Sequence, residues 1–167
     1  DIGAREYNPC VNDAGINEIT SPVNPLSGGT EEVRALLQNQ GTANLSSVQI
    51  NWMVNDDLRP PYAWSGSLGA SGSAEVLLGN YDFHTGSFTI KAWTSLPNNS
   101  ADCNVNNDTV YSRELSGPLC GTYTVGGEDG DFTSFSQVAE VLNTAGITCP
   151  ITFLVRDGIY LETIIIS

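Results

Sequence analysis

Val48-Gln49-Ile50-Asn51-Trp52-Met53-Val54 decides how most of this chain is read. Val48, Ile50, Trp52 and Val54 alternate with Gln49, Asn51 and Met53, the period of a half-buried strand, and Asn55-Asp56-Asp57 ends it. The same rhythm recurs on both sides. Val33, Ala35 and Leu37 alternate with Arg34, Leu36 and Gln38 until Asn39-Gln40-Gly41 breaks the run. Phe88, Ile90 and Ala92 alternate with Thr89 and Lys91 and lead into Trp93. Ala74 to Leu78 is a shorter run closed by Gly79-Asn80, and Thr109 to Leu115 supplies a strand after a long polar loop. Short pieces fall around Tyr7 and from Ile16 to Ile19.

About seven strands at this spacing predict a β-sandwich. Trp52, in mid-strand, is the aromatic that an immunoglobulin-like core buries, although any buried aromatic of a sandwich fits as well. Organisation changes near Ser116-Gly117-Pro118. Gly121 to Val125 reads as a strand, followed by the acidic, glycine-rich loop Gly126 to Asp131. Phe135, Val138, Ala139 and Leu142 then form an apolar stripe at helical spacing, with Ser134 and Gln137 as a capping box and Gly146 as the stop. Ile151, Phe153 and Val155 alternate, Asp157-Gly158 turns the chain, and Tyr160 to Ser167 reads as a last strand. The predicted fold is mainly β: an immunoglobulin-like β-sandwich over residues 1–115, followed over 116–167 by a small strand–helix–strand–strand unit.

Charge narrows the partners. Nineteen acidic residues oppose six basic ones in 167 residues, and Lys91 is the single lysine. A net charge of −13 repels phosphate backbones and anionic headgroups, which excludes nucleic-acid binding. No segment is apolar for long enough to insert into a membrane. The four cysteines, Cys10, Cys103, Cys120 and Cys149, include no CxxC pair, so two disulfides and an oxidising compartment are expected. Three pairings can be drawn, and the sequence alone does not choose among them. A second unit of about fifty residues is small for a self-sufficient core. A local Cys120–Cys149 bridge would strengthen it, leaving Cys10 with Cys103.

Several stretches resemble the adhesion-related, CARDB-like immunoglobulin-type domains of large secreted Bacteroidota surface proteins. They are Asp13-Ala-Gly-Ile16 with Ser21-Pro22, Gln40-Gly-Thr42, Ile50-Asn-Trp-Met-Val-Asn55, Trp64-Ser-Gly66, Leu78-Gly79, Ala92-Trp-Thr-Ser-Leu-Pro-Asn98 and Asn106-Asn-Asp-Thr109. The resemblance gives Trp64 a structural place beside Gly66. Gly121 to Gly127, Asp131-Phe132, Pro150 to Phe153 and Gly158-Ile-Tyr160 are similar to the capped N-terminal start of a pectin-lyase-like right-handed β-helix. That resemblance implies a helix covering the first coil, with any catalytic groups of such a domain on later coils. It therefore implies a secreted, cell-surface structural or adhesion module rather than an enzyme. The alternative is a carbohydrate- or calcium-dependent binding module attached to a larger secreted enzyme.

Several sets of residues are weighed as candidates for function. Asp102, Asn104, Asn106 and Asp108, with Asn107 among them, place oxygen ligands at alternating positions for a calcium ion, although the loop lacks the glycine and glutamate of an EF-hand. The competing reading is an Asx-rich turn whose side chains bond their own backbone, and no other cofactor is expected. Glu128, Asp129 and Asp131 read as a solvated loop leading into a helix. Tyr62, Trp64, Tyr81 and Phe83 lie near turns, where aromatics stack on sugars, and Asn44, Asn98 and Asn107 begin Asn-x-Ser/Thr sequons. His84 lacks the nucleophile elbow that a catalytic base would serve. Leu161, Ile164, Ile165 and Ile166 form an apolar strand able to pair with the open edge of another copy or of a neighbouring domain. The competing reading of that strand is the end of a segment excised from a longer protein.

Overall fold

A computed structural model describes residues 10–166. Its strands are β1 (Ala14–Ser21), β2 (Thr30–Asn39), β3 (Leu45–Val54), β4 (Asp57–Leu58), β5 (Tyr62–Leu68), β6 (Ser73–Asp82), β7 (Ser87–Phe88), β8 (Ile90–Ser95), β9 (Thr109–Tyr111), β10 (Leu115–Ser116), β11 (Leu119–Val125) and β12 (Ile147–Val155). The single α-helix among the described residues is α1 (Phe135–Ala145), and a short 3-10 turn covers Pro97–Asn99. The expected strand around Tyr7 lies outside the described residues.

Two compact units emerge. Among the described residues, the first gathers those up to Ser21 with Glu32–Gly79 and Thr89–Arg113, and the second takes Pro22–Glu31, Asn80–Phe88 and those from Glu114 onward. The second unit thus draws in two segments from the earlier part of the chain.

The first unit is an immunoglobulin-like sandwich. One sheet runs β1-β2-β6; in the other, β3 pairs with β8 on one side and with β4 and β5 on the other, and β9 continues beyond β8. The alternation read in the sequence sets which side chains fill the space between the sheets. Val33, Ala35 and Leu37 of β2, Val48, Ile50, Trp52 and Val54 of β3, and Ile90 and Ala92 of β8 are all buried. Each large apolar side chain so placed contributes about 1.5–3 kcal/mol. Trp52 satisfies its one polar atom by donating from Nε1 to the Pro60 carbonyl at 3.1 Å. Its ring reaches the backbone of β6 at Gly79, where a Cβ would stand 2.8 Å from Trp52 Cζ2. Trp64 lies over Gly66 in the same way, 2.5 Å from where a Cβ would be.

The second unit has its own apolar centre. Phe83 is fully buried, with its ring centroid 5.0 Å from Tyr81 and 5.2 Å from Phe88. The run Thr109 to Leu115 is not one strand as expected: β9 stops at Tyr111, and β10 starts at Leu115 to pair antiparallel with β7. Beyond it, β11 and β12 pair in parallel, Gly121 opposite Ile151 through to Val125 opposite Val155, with α1 as the crossover. Tyr123, Phe132 and Phe153 cluster with centroids 5.6–6.2 Å apart. Ser134 caps α1 by accepting the Gln137 amide at 3.2 Å, while Gln137 Oε1 accepts the Thr133 amide instead of completing the box on Ser134. Gly146, at φ 71°, ends the helix in a conformation that favours glycine.

Candidate metal centre and an open sheet edge

Three carboxylates converge in the first unit. Asp13 precedes β1, Asp102 follows the 3-10 turn and Asp108 precedes β9; one oxygen of each lies within 4.8 Å of the others. Asp13 and Asp108 are 4% and 7% exposed. The backbone builds the arrangement. The Asp108 carbonyl accepts the amides of Ile16 at 3.4 Å and Thr94 at 3.3 Å, which fixes Asp108 against β1 and β8. Gly15 permits the approach, since a Cβ there would lie 2.5 Å from the Asn107 carbonyl oxygen. The Cys10–Cys103 disulfide joins the segments just outside Asp13 and Asp102.

The three groups are not equally satisfied. Asp13 accepts from Asn107 Nδ2 at 3.1 and 3.3 Å. Asp102 accepts the Ala14 amide on Oδ2 at 3.1 Å and the Asn104 amide on Oδ1 at 2.8 Å. Oδ1 of Asp108 is buried and has no hydrogen-bond partner among the described residues, and neither has Oδ1 of Asn107. Burial pushes the Asp108 carboxyl up to about 6, with the charges of Asp102 and Asp13 adding to the rise. Burial also raises Asp13, against the lowering effect of Asn107, and the charge of Asp102 adds to it.

Of the residues read as calcium ligands, the structure brings Asp102 and Asp108 together. Asn104 and Asn106 are exposed, and Asn104 serves Asp102 through its backbone amide, as in an Asx turn. Asn107 turns its amide nitrogen, a donor, towards Asp13 and Gln40. Sequence spacing could not nominate Asp13 as a partner. It stands far from Asp108 along the chain, and only the sandwich pairing brings the two together.

The second unit presents a different feature. Among the described residues β12 has a single ladder partner, β11, and none of its described side chains is buried. Ile147, Leu154 and Val155 are 60%, 54% and 50% exposed. The expected strand from Tyr160 onward is not formed: residues 156–166 make no ladder. Backbone becomes a strand only against a partner strand, and here the segment is tied to α1. Glu162 accepts the Ser136 and Phe135 amides, Asn143 Nδ2 donates to the Ile165 carbonyl at 3.0 Å, and Tyr160 meets Phe135 edge to face. Leu161, Ile164, Ile165 and Ile166 remain 93%, 44%, 71% and 64% exposed.

No family model matches the chain, and no curated protein sequence is significantly similar to it. Similarity appears among solved structures. The CARDB domain of the PF1109 protein of Pyrococcus furiosus, solved in complex with di-metal ions, is 18% identical, with a TM-score of 0.49 over 66% of this chain and 96% of that one. The solution structure of the same domain gives 20% identity and a TM-score of 0.46 over 64% and 94%. A domain of a candidate cell-surface protein of Methanosarcina acetivorans gives 21% and 0.47 over 64% and 91%.

The other candidates resolve into local structure. Asp129 pairs with Arg156 through the two terminal guanidinium nitrogens, Nη1 and Nη2, and Asp131 accepts the Thr124 amide and hydroxyl, each at 2.7 Å. Both acids are exposed, as a solvated loop requires, and these bonds also tie the loop to β11 and to Arg156. Phe83, read as a sugar-stacking candidate, is a core residue, while Tyr62 is 37% exposed. His84 Nε2 lies 3.1 Å from Asp82 on the surface.

Proposed function

We propose that this chain is an extracellular structural module of a cell-surface protein, joined to its neighbours by β-strand addition at β12. One observation carries the reading: among the described residues β12 pairs with β11 alone, and its Ile147, Leu154 and Val155 are exposed. An edge of that kind is a template for another strand. The apolar segment Leu161–Ile166 of a second copy supplies it, giving a head-to-tail contact that propagates unless it closes into a ring. Two disulfides fit an oxidising, extracytoplasmic setting. In this reading the work is mechanical rather than catalytic.

Light scattering and negative-stain electron microscopy of the purified chain test it. Oligomers or filaments that disappear both in Leu154→Lys and on removal of residues 161–167 support it. A monomer at every concentration reached would overturn it. Oligomers that survive Leu154→Lys would place the contact elsewhere.

A further inference from the structure

We infer that Asp13, Asp102 and Asp108 form a binding site for a hard divalent cation, calcium before others. The cluster alone would not carry this; the state of Asp108 does. Its side chain is more than nine-tenths buried, faces two further carboxylates within 4.8 Å, and keeps an oxygen with no donor among the described residues. Buried charges in folded proteins are paired or bound to metal. None of the ion pairs among the described residues involves Asp13, Asp102 or Asp108. A second buried acceptor without a partner, Oδ1 of Asn107, belongs to the side chain that bonds Asp13.

The donor chemistry selects the ion. All three groups are carboxylates, and Cys10 and Cys103, which also lie close to Asp13, are joined as a disulfide and offer no thiolate. Oxygen donors of this kind favour calcium, magnesium or manganese over zinc or copper. Oxygens within 4.8 Å of one another can be bridged by two calcium–oxygen bonds of about 2.3–2.6 Å, with water completing the shell. Asp13 and Asp102 are already oriented by Asn107, Ala14 and Asn104. Each ionised carboxylate has about four acceptor sites, so those bonds leave lone pairs for an ion.

The test is thermal unfolding and calorimetric titration of the full chain, first stripped with EDTA. Calcium chloride is compared with sodium chloride of equal ionic strength, because so acidic a protein responds to salt in general. Expected is a saturable rise in Tm of several degrees with calcium, a smaller rise with magnesium, and binding heat at one or more sites per chain. Asp108→Asn and Asp102→Asn should lose the calcium-specific rise, whereas Glu128→Gln, on an exposed loop, should keep it. In EDTA, Asp108→Asn should melt no lower than the parent, since it removes an unpaired buried charge; this separates loss of the site from loss of the fold. Equal Tm in calcium and in sodium chloride, without binding heat, overturns the inference. So does a calcium response that survives in both Asp variants.

Discussion

Glu162 holds the first turn of α1 through Ser136: its Oε2 accepts the Ser136 amide at 2.8 Å and the Ser136 hydroxyl at 2.6 Å. Oε1 takes the Phe135 amide at 3.3 Å. These are amides that a helix start leaves without intrahelical partners, and a carboxylate there also meets the positive end of the helix dipole. A residue distant along the chain thus acts as a second cap beside Ser134.

That contact makes a pH prediction. The Ser136 hydroxyl and amide hold the Glu162 carboxyl below the usual carboxylate range, with Phe135 assisting. A depressed folded value means that the contribution is present above the unfolded value, near 4.3, and is lost as pH falls through the lower folded value. Glu162→Gln should therefore lower Tm at neutral pH, and parent and variant should converge in acid. Paired melting curves across that range check it. A difference that grows in acid would contradict the assignment.

Trp52 and Gly79 make a matched pair in the sandwich. Trp52→Ala empties the space between the sheets and should cost about 3–5 kcal/mol in urea unfolding. Gly79→Ala puts a methyl group 2.8 Å from Trp52 Cζ2 and should cost about 1–3 kcal/mol by overpacking. Because the two sites touch, Trp52→Phe combined with Gly79→Ala should cost less than the sum of the single changes.

What was legible in the sequence follows from how local each signal is. The alternation through Trp52 specified β3 and its inward face, because side-chain direction in a strand has a period of two. Ser134 and Gly146 bounded α1 because capping is local chemistry. The isoleucines near the end carried strand propensity, but propensity does not supply a partner edge, and Glu162 ties that segment to the helix instead. Phe83 looked like a turn aromatic because its burial depends on Tyr81 and Phe88 packing around it. Asp13 was legible only as part of a motif; its meeting with Asp108 is tertiary.

Asn98 offers a sharper test of the loop that leads to Asp102. It sits at φ 52° and ψ 33°, and its Oδ1 accepts the Ser46 amide at 2.7 Å and the Ser46 hydroxyl at 2.9 Å. Its Nδ2 donates to Asn12 Oδ1 at 2.8 Å and to the Asn44 carbonyl at 3.1 Å. Asn98→Ala loses these bonds and leaves a methyl side chain in the left-handed region, so a loss of roughly 1–3 kcal/mol is expected. Asn98→Gly loses the same bonds without the backbone strain and should be the milder variant. Chemical denaturation ranks the two, and the reverse order would show that backbone strain is not part of the cost.

The two disulfides can be separated by spectroscopy. Trp52, Trp64 and Trp93 all lie in the first unit, whereas α1 lies in the second. Cys120 and Cys149, 29 residues apart, enclose α1, and the loop-entropy model assigns their bridge about 3.6 kcal/mol. Replacing both by serine should move the loss of helical circular dichroism to lower temperature and the tryptophan fluorescence transition by less. Replacing Cys10 and Cys103 by serine should reverse that pattern, since the bridge then lost closes 93 residues around the sandwich strands. If both signals shift together in both variants, the units unfold as one cooperative system, and each bridge stabilises the whole chain.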